Sequence, residues 1–256
     1  MNIFFSIIIP TYNAEKTVAS AIKSILTQKF RDFEVLITDG ESSDKTSEIA
    51  MSFNDKRIIF FSQKDDGVYD AMNLGIDNAV GEYIYFLGSD DVLFDNNVLQ
   101  KIYENLKDNT FDLIYGDVLF ATSKVIYAGE FSLERLLYKQ NICHQAIFYK
   151  RNSFYKLGKY NLKYKLLADW DFNIRCFMHP QFKIKYVETC IAVYNDLTGL
   201  SKDTGEADKS FMQISPYFQL RTLKSEISNI KFSKAYGIGK LILNPMEKII
   251  SLFTKK

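Results

Sequence analysis

The sequence predicts an α/β protein whose N-terminal half is a parallel, Rossmann-like sheet covered by helices on both faces. Short runs of β-branched and aromatic residues recur at 5–9, 33–37, 57–61 and 82–87. Stretches with apolar residues at helical spacing separate these runs, at 14–28, 44–53 and 69–80. Parallel strands need such crossover connections, so the alternation indicates a parallel sheet with buried strands.

The regular alternation of strand and helix patterns ends after residue 91. Closely spaced apolar runs are typical of mixed or antiparallel strands, at 111–116, 118–120, 125–127, 146–149 and 184–194. Helices are predicted among them at 96–107, 132–139 and 169–178. We therefore expect one domain over residues 1–205, with a nucleotide-binding half (1–91) and a second half (92–205). Residues 206–256 are predicted to form a C-terminal helical extension.

Composition excludes several classes of protein. A net charge of +1 provides no field that would favour nucleic acid. The three cysteines form no CxxC pair, which argues against a disulfide framework or a zinc site. The N-terminus lacks the positive region of a signal peptide, and no apolar run approaches the roughly 18 residues that span a bilayer. We expect a cytoplasmic location.

The end of the chain, residues 240–256, has apolar residues at helical spacing flanked by lysines. One interpretation is an interfacial helix that places the protein peripherally on an anionic membrane, on the inner face of the plasma membrane. The other is a helix packed on the core or at a homodimer contact, since amphipathic helices are common in globular proteins.

Polar or acidic residues follow each of the first four predicted strands, at 10–13, Asp39, 65–66 and 90–91. In a parallel sheet these ends meet at one rim, where ligands bind. Clustered carboxylates are tolerated when a cation bridges them, and oxygen ligands suit Mg²⁺ or Mn²⁺ with a bound diphosphate. Neither GxGxxG nor GxxxxGK[ST] is present, so a metal would take the place of a glycine-rich phosphate loop.

The segments SIIIPTYN (6–13), ITDG (37–40) with SDKT (43–46), DGVYDAMN (66–73), GSDD (88–91) and ADWD (168–171) occur in an order that resembles family 2 glycosyltransferases with the GT-A fold. The resemblance covers roughly residues 3–195. It implies an α/β mixed sheet with a parallel N-terminal half. It also implies an inverting transfer from a nucleotide-sugar to a glycan or lipid-linked acceptor in bacterial cell-surface polysaccharide synthesis.

The resemblance implies a role for each matching residue. Pro10, Thr11 and Tyr12 would line the base and ribose pocket, although a strand stop and turn is the favoured explanation when these residues are taken alone. Asp39 would accept a hydrogen bond from uracil, and Asp66 would contact the nucleoside. Asp70, Asn73, His144 and Arg175 would lie near the donor sugar or diphosphate; capping, solvated-face or core roles are their alternatives.

The GSDD segment takes the position of the metal-binding DxD motif, with Ser89 in place of the first aspartate. Asp91 would ligate Mn²⁺ or Mg²⁺ and Asp90 the ribose or the metal; capping of a following helix is the alternative. Asp169 would be the general base, with Asp171 as its competitor. The two differ by about 200° around a helix and therefore face opposite sides.

Two other functions remain compatible with the pattern. A nucleotidyltransferase shares such a sheet and metal but normally carries a glycine-rich basic loop after the first strand, which residues 11–14 lack. An inactive nucleotide-sugar-binding module is the non-enzymatic alternative. A phosphatase with an aspartate nucleophile is disfavoured, because only Asn13 follows the first strand.

Overall fold

A computed structural model describes residues 3–127 and 129–197, and beyond these only positions 211, 215, 217–219, 223 and 226. The predicted C-terminal helices, including the amphipathic segment 240–256, therefore lie largely outside the described residues. Two described positions there, Phe211 and Phe218, are buried and pack their rings against Trp170. Within the described part of the chain no helix is long and apolar enough to cross a membrane.

The described residues contain nine strands, which form one sheet. They are β1 (Phe5–Thr11), β2 (Phe33–Asp39), β3 (Ile58–Ser62), β4 (Tyr83–Phe86), β5 (Val92–Leu93), β6 (Leu113–Phe120), β7 (Ile126–Tyr127), β8 (Ile147–Lys150) and β9 (Ile184–Tyr194). Between residues 3 and 197, seven α-helices accompany them: α1 (Val18–Leu26), α2 (Thr46–Ser52), α3 (Val68–Asn78), α4 (Val98–Leu106), α5 (Leu133–Tyr138), α6 (Arg151–Leu157) and α7 (Ala168–Met178). A short 3₁₀ helix, His144–Ala146, precedes β8.

The sheet has the order β3-β2-β1-β4-β8-β6-β9-β5, with β7 paired to β6. Strands β3, β2, β1 and β4 are parallel, whereas β8 runs antiparallel to both β4 and β6. The predicted α/β class with a parallel N-terminal half and a mixed second half is confirmed. The predicted strands 111–116 and 118–120 are one strand, β6, and the prediction missed β5 and α6.

Burial explains why the N-terminal strands take these positions. Every residue of β1, β2 and β4 is buried, as expected for parallel strands covered on both faces. Helix α3 approaches β1 closely because residue 75 is glycine; a Cβ atom there would lie 2.5 Å from a methyl group of Ile8. This contact fixes α3 and its Tyr69 beside the carboxyl ends of the strands.

Candidate active site

A cleft of about 1260 Å³ opens at the carboxyl ends of β1, β2, β3 and β4. Residues at or just after the ends of all four parallel N-terminal strands line it, so the rim predicted from the sequence exists. The second half of the chain supplies the opposite wall. The lining includes Pro10, Thr11, Tyr12, Gly40, Asp65, Tyr69, Ser89, Asp90, Asp91, Phe120, Tyr127, Asn141, His144, Gln145, Asp169 and Tyr194.

Asp91 lies at the floor of the cleft and is only 1% exposed. Its Oδ1 accepts a hydrogen bond from the backbone N–H of Asn195 (2.7 Å), and its Oδ2 accepts one from Nε2 of Gln145. Burial, and then the neighbouring Asp90 carboxylate, raise the pKa of Asp91 to about 7 against the lowering effect of these bonds. Asp90 is more exposed, and its carboxylate accepts a hydrogen bond from Nδ2 of Asn195.

Asp169 lies at the N-terminal end of α7 and lines the same cleft. Its Oδ1 accepts a hydrogen bond from the hydroxyl of Tyr69 (2.6 Å), and its Oδ2 accepts one from Nδ2 of Asn141 (2.8 Å). Asn141 in turn accepts from Asn173, whose side-chain oxygen accepts from the hydroxyl of Tyr149. The carboxylate is thus fixed from two sides by neutral donors.

Asp171 points elsewhere. It pairs with Nε of Arg175 at 2.9 Å and is not part of the cleft lining. Burial raises the pKa of Asp171, and the Arg175 guanidinium opposes that rise. Arg175 also donates to the carbonyls of Leu157, Gly158 and Lys159. Of the two aspartates, therefore, only Asp169 lines the cleft, and Arg175 belongs to a structural network outside the cleft lining.

His144 lines the cleft, half-buried. Burial lowers the pKa of its imidazole, while the carboxylates of Asp169 and Asp90 oppose the effect. Both carboxylates, Asp90 of the GSDD segment and Asp169 of α7, thus act electrostatically on the imidazole ring. A neutral imidazole at this place can donate one hydrogen bond and accept another.

The side of the cleft that is predicted to bind the nucleotide is built on β1 and β2. Tyr12 is 68% exposed at the end of β1, so its ring is available for stacking. Asp39 is 2% exposed, and its two oxygens accept four hydrogen bonds, from Thr11, Ser62 and both the N–H and the hydroxyl of Ser42. A uracil N–H would have to replace one of them. Gly40, the next residue, lines the cleft directly.

Asp65, and not the predicted Asp66, lines the cleft after β3. Its carboxylate lies against Gly40, where a Cβ atom would approach it to 2.6 Å. Burial, and then the carboxylates of Asp70 and Asp39, raise the pKa of Asp65. Asp66 is exposed, and its backbone N–H donates to the Asp70 carboxylate. Asp70 therefore holds the loop that leads into α3.

Asn73 also lies away from the cleft. It is buried, and its amide makes two hydrogen bonds with the backbone of Tyr160, donating from Nδ2 (3.0 Å) and accepting at Oδ1 (3.1 Å). This side chain joins α3 to the loop before α7. The structure therefore brings together Pro10, Thr11, Tyr12, Asp90, Asp91, His144 and Asp169 around the cleft. It leaves Asp39, Asp66, Asp70, Asn73 and Arg175 out of the lining.

The mixed sheet, with an acidic cleft at the carboxyl ends of its parallel strands, has the architecture expected for a glycosyltransferase of the GT-A fold. The chain belongs to glycosyl transferase family 2, whose model matches residues 6–179. A PGL/p-HBAD biosynthesis glycosyltransferase of Mycobacterium bovis BCG is 44% identical over 216 residues, covering 83% of this chain and 84% of that protein. An uncharacterized glycosyltransferase of Rickettsia conorii is 47% identical over 107 residues, 41% of this chain and 18% of that protein.

Solved structures share the architecture. Staphylococcus aureus TarS 1–349 in complex with UDP-GlcNAc superposes with a TM-score of 0.71 at 18% identity, covering 91% of this chain and 69% of that chain. Mannosyltransferase PcManGT from Pyrobaculum calidifontis, in complex with GDP-Man and Mn²⁺, gives a TM-score of 0.60 at 13% identity, covering 98% and 81%. At these identities the likeness establishes the fold alone.

Proposed function

We propose that this enzyme transfers a sugar, with inversion, from a UDP-sugar to a hydroxyl of a glycan or lipid-linked acceptor. The observation that carries the proposal is that Asp90 and Asp91 line the same cleft as Asp169. Tyr12 supplies an exposed ring for a nucleobase in the same cleft. The TarS complexes with UDP and UDP-GlcNAc support a uridine nucleotide as the donor.

Asp169 is the general base in this proposal. Its carboxylate takes the proton from the acceptor hydroxyl as that oxygen attacks C1 of the donor sugar. The bond between C1 and the phosphate oxygen breaks, and the nucleoside diphosphate leaves with the bonding electron pair. A single displacement from the opposite face inverts the anomeric carbon. Tyr69 and Asn141 occupy one lone pair on each oxygen and leave others for the proton.

Asp90 and Asp91 would hold Mn²⁺ or Mg²⁺. The described residues contain no group of three His, Cys, Asp or Glu side chains placed for a metal. Two carboxylates nevertheless fit these cations, which retain water and bind substrate phosphates through one or two carboxylates. Gln145 and Asn195 donate hydrogen bonds to Asp91 and orient it. When bound, the cation neutralises charge on the departing diphosphate.

A nucleotide-release screen tests this function. The purified protein is incubated with UDP-, GDP- and dTDP-sugars and Mn²⁺, and released nucleotide is measured with and without a chelator. We expect slow, metal-dependent release of UDP by hydrolysis, which an acceptor accelerates. Tight UDP binding without turnover of any nucleotide-sugar would instead indicate a binding module.

A further inference from the structure

Three aromatic side chains form a continuous wall on the second-half side of the cleft. Phe120 lies in the middle, with ring centroids 5.5 Å from Tyr127 and 5.5 Å from Tyr194. Phe120 and Tyr127 are stacked, with an interplanar angle of 17°. All three residues line the cleft and are half-buried, so ring surface faces the cleft. We call Phe120, Tyr127 and Tyr194 the aromatic wall.

The aromatic wall connects the two ends of the cleft. At one end the hydroxyl of Tyr127 donates to the backbone carbonyl of Asn141 (2.6 Å), and the Asn141 side chain donates to Asp169. At the other end Tyr194 precedes Asn195, whose backbone N–H donates to Asp91. A molecule lying on the wall is therefore placed between Asp169 and the Asp90–Asp91 pair.

The charges on this side of the cleft indicate which kind of molecule the aromatic wall can bind. Among the described residues, the lysines in the cleft lining are Lys16 and Lys64, and both belong to the N-terminal half that we assign to the nucleotide. The lining that the described residues after 91 contribute has no lysine or arginine. Its polar groups are instead Asn141, His144, Gln145 and Asp169, around a wall of rings. This arrangement disfavours a phosphate or carboxylate on the acceptor ring, since a buried anion needs a paired charge.

We propose that the aromatic wall is the acceptor subsite and that it binds an uncharged pyranose ring, with the apolar face of the sugar on the rings of Tyr127 and Tyr194. The inference rests on the proposed glycosyltransferase function. A pyranose ring presents C–H bonds on one face and hydroxyls at its edge, so it can lie on aromatic rings while its hydroxyls meet polar side chains of the cleft such as His144.

Saturation-transfer difference NMR on the full chain with UDP and Mn²⁺ tests the proposal. The probes are methyl glycosides of neutral hexoses and deoxyhexoses, methyl glucuronide and phenol. We expect binding of at least one neutral glycoside, with the strongest signals from C–H protons of one ring face. Methyl glucuronide and phenol should bind at least roughly tenfold more weakly.

Substitutions locate the binding on the wall. Tyr194→Leu and Tyr127→Leu should each weaken glycoside binding roughly tenfold, whereas Tyr127→Phe, which retains the ring, should weaken it less. Tyr155→Leu, an exposed tyrosine outside the cleft, is the control. The UDP affinity of every variant is measured as well, because unchanged affinity shows that the variant is folded and that its nucleotide site is intact.

The outcomes separate the two proposals. If the wild-type protein does not bind UDP, the proposed function itself is contradicted. Normal UDP binding without binding of any neutral glycoside would overturn the acceptor inference alone. So would equal binding by Tyr194→Leu and Tyr127→Leu, or binding of methyl glucuronide or phenol as tight as that of the neutral sugars.

Discussion

The hydroxyl of Tyr69 lies 2.6 Å from Oδ1 of Asp169, although the two residues are 100 positions apart in the chain. The same hydroxyl lies 2.8 Å from the carbonyl oxygen of Leu166, the residue before the cap of α7. Burial, and then the Asp169 carboxylate, hold the pKa of Tyr69 well above its usual range, so the phenol keeps its proton and remains a donor. Helix α3 of the nucleotide half thereby orients the proposed base on α7.

Removing this hydroxyl should therefore affect catalysis more than binding. In Tyr69→Phe we expect kcat to fall roughly 10- to 100-fold, because a misplaced base reaches the acceptor hydroxyl less often. The KM for the donor should change little. Tyr83→Phe, which removes a hydroxyl bonded to the Phe111 carbonyl, is the matched control. Both variants should lose about 1 kcal/mol of stability. Equal kcat values in the two would contradict the positioning role of Tyr69.

Two asparagines, the buried Asn73 and the half-buried Asn141, allow a second comparison. Asn141→Ala removes a donor to Asp169, whereas Asn73→Ala removes the two bonds to the Tyr160 backbone. Each change leaves buried groups unpaired and should cost about 1–3 kcal/mol in thermal or denaturant unfolding. Only Asn141→Ala should also lower kcat at unchanged donor KM. A raised donor KM in Asn73→Ala would support the contact with the donor predicted from the sequence.

The acidic pair at 90–91 should control nucleotide affinity through the metal. Asp91→Ala is expected to abolish the gain in UDP affinity that Mn²⁺ gives the wild type in a calorimetric titration. Asp108→Asn, on an exposed turn, should keep that gain. Metal-dependent UDP binding that persists in Asp91→Ala would remove Asp91 from the metal site.

Asp91 should also make the metal-free protein less stable as the pH rises. Its pKa of about 7 in the fold lies above the usual aspartate value of 3.8, so the folded state keeps a proton that the unfolded state loses. Unfolding therefore releases a proton between these pH values, and stability falls as pH increases. The full effect is on the order of 4 kcal/mol.

Thermal unfolding across this pH range measures that dependence. The stability of Asp91→Asn relative to wild type should increase from about pH 4 to about pH 7, and Asp108→Asn is the control for loss of an aspartate elsewhere. A constant difference between wild type and Asp91→Asn would show that burial does not oppose the ionisation of Asp91.

Much of the fold was predictable because its strands are buried runs of apolar residues and its helices have apolar residues at regular spacing. The two-residue strand β5 carries no such pattern. Helix α6, RNSFYKL, buries only Ser153 and Phe154 and has no continuous apolar stripe. Strand β5 and helix α6 form because of the neighbouring elements they pack against. Those tertiary contacts cannot be read from a single sequence.

The site was predictable where a residue follows a strand or begins a helix. The helical angle between Asp169 and Asp171 required them to face different sides, and the structure pairs Asp171 with Arg175 instead. Sequence position did not reveal that Asp65, rather than Asp66, faces the cleft, because loop geometry decides it. Tyr69, Asn141, Gln145 and Asn195 are neutral and lie far along the chain from the carboxylates they contact, so no motif indicated their roles.

The central claim is that Asp169 is the general base of this glycosyltransferase, and single-turnover kinetics of Asp169→Asn and Asp171→Asn test it most directly. We expect Asp169→Asn to bind UDP as tightly as wild type and to transfer sugar roughly 10²- to 10⁴-fold more slowly. Asp171→Asn should lose stability through its broken pair with Arg175 and retain transfer at nearly the wild-type rate. Near-normal transfer by Asp169→Asn, or the large loss in Asp171→Asn instead, would contradict the assignment.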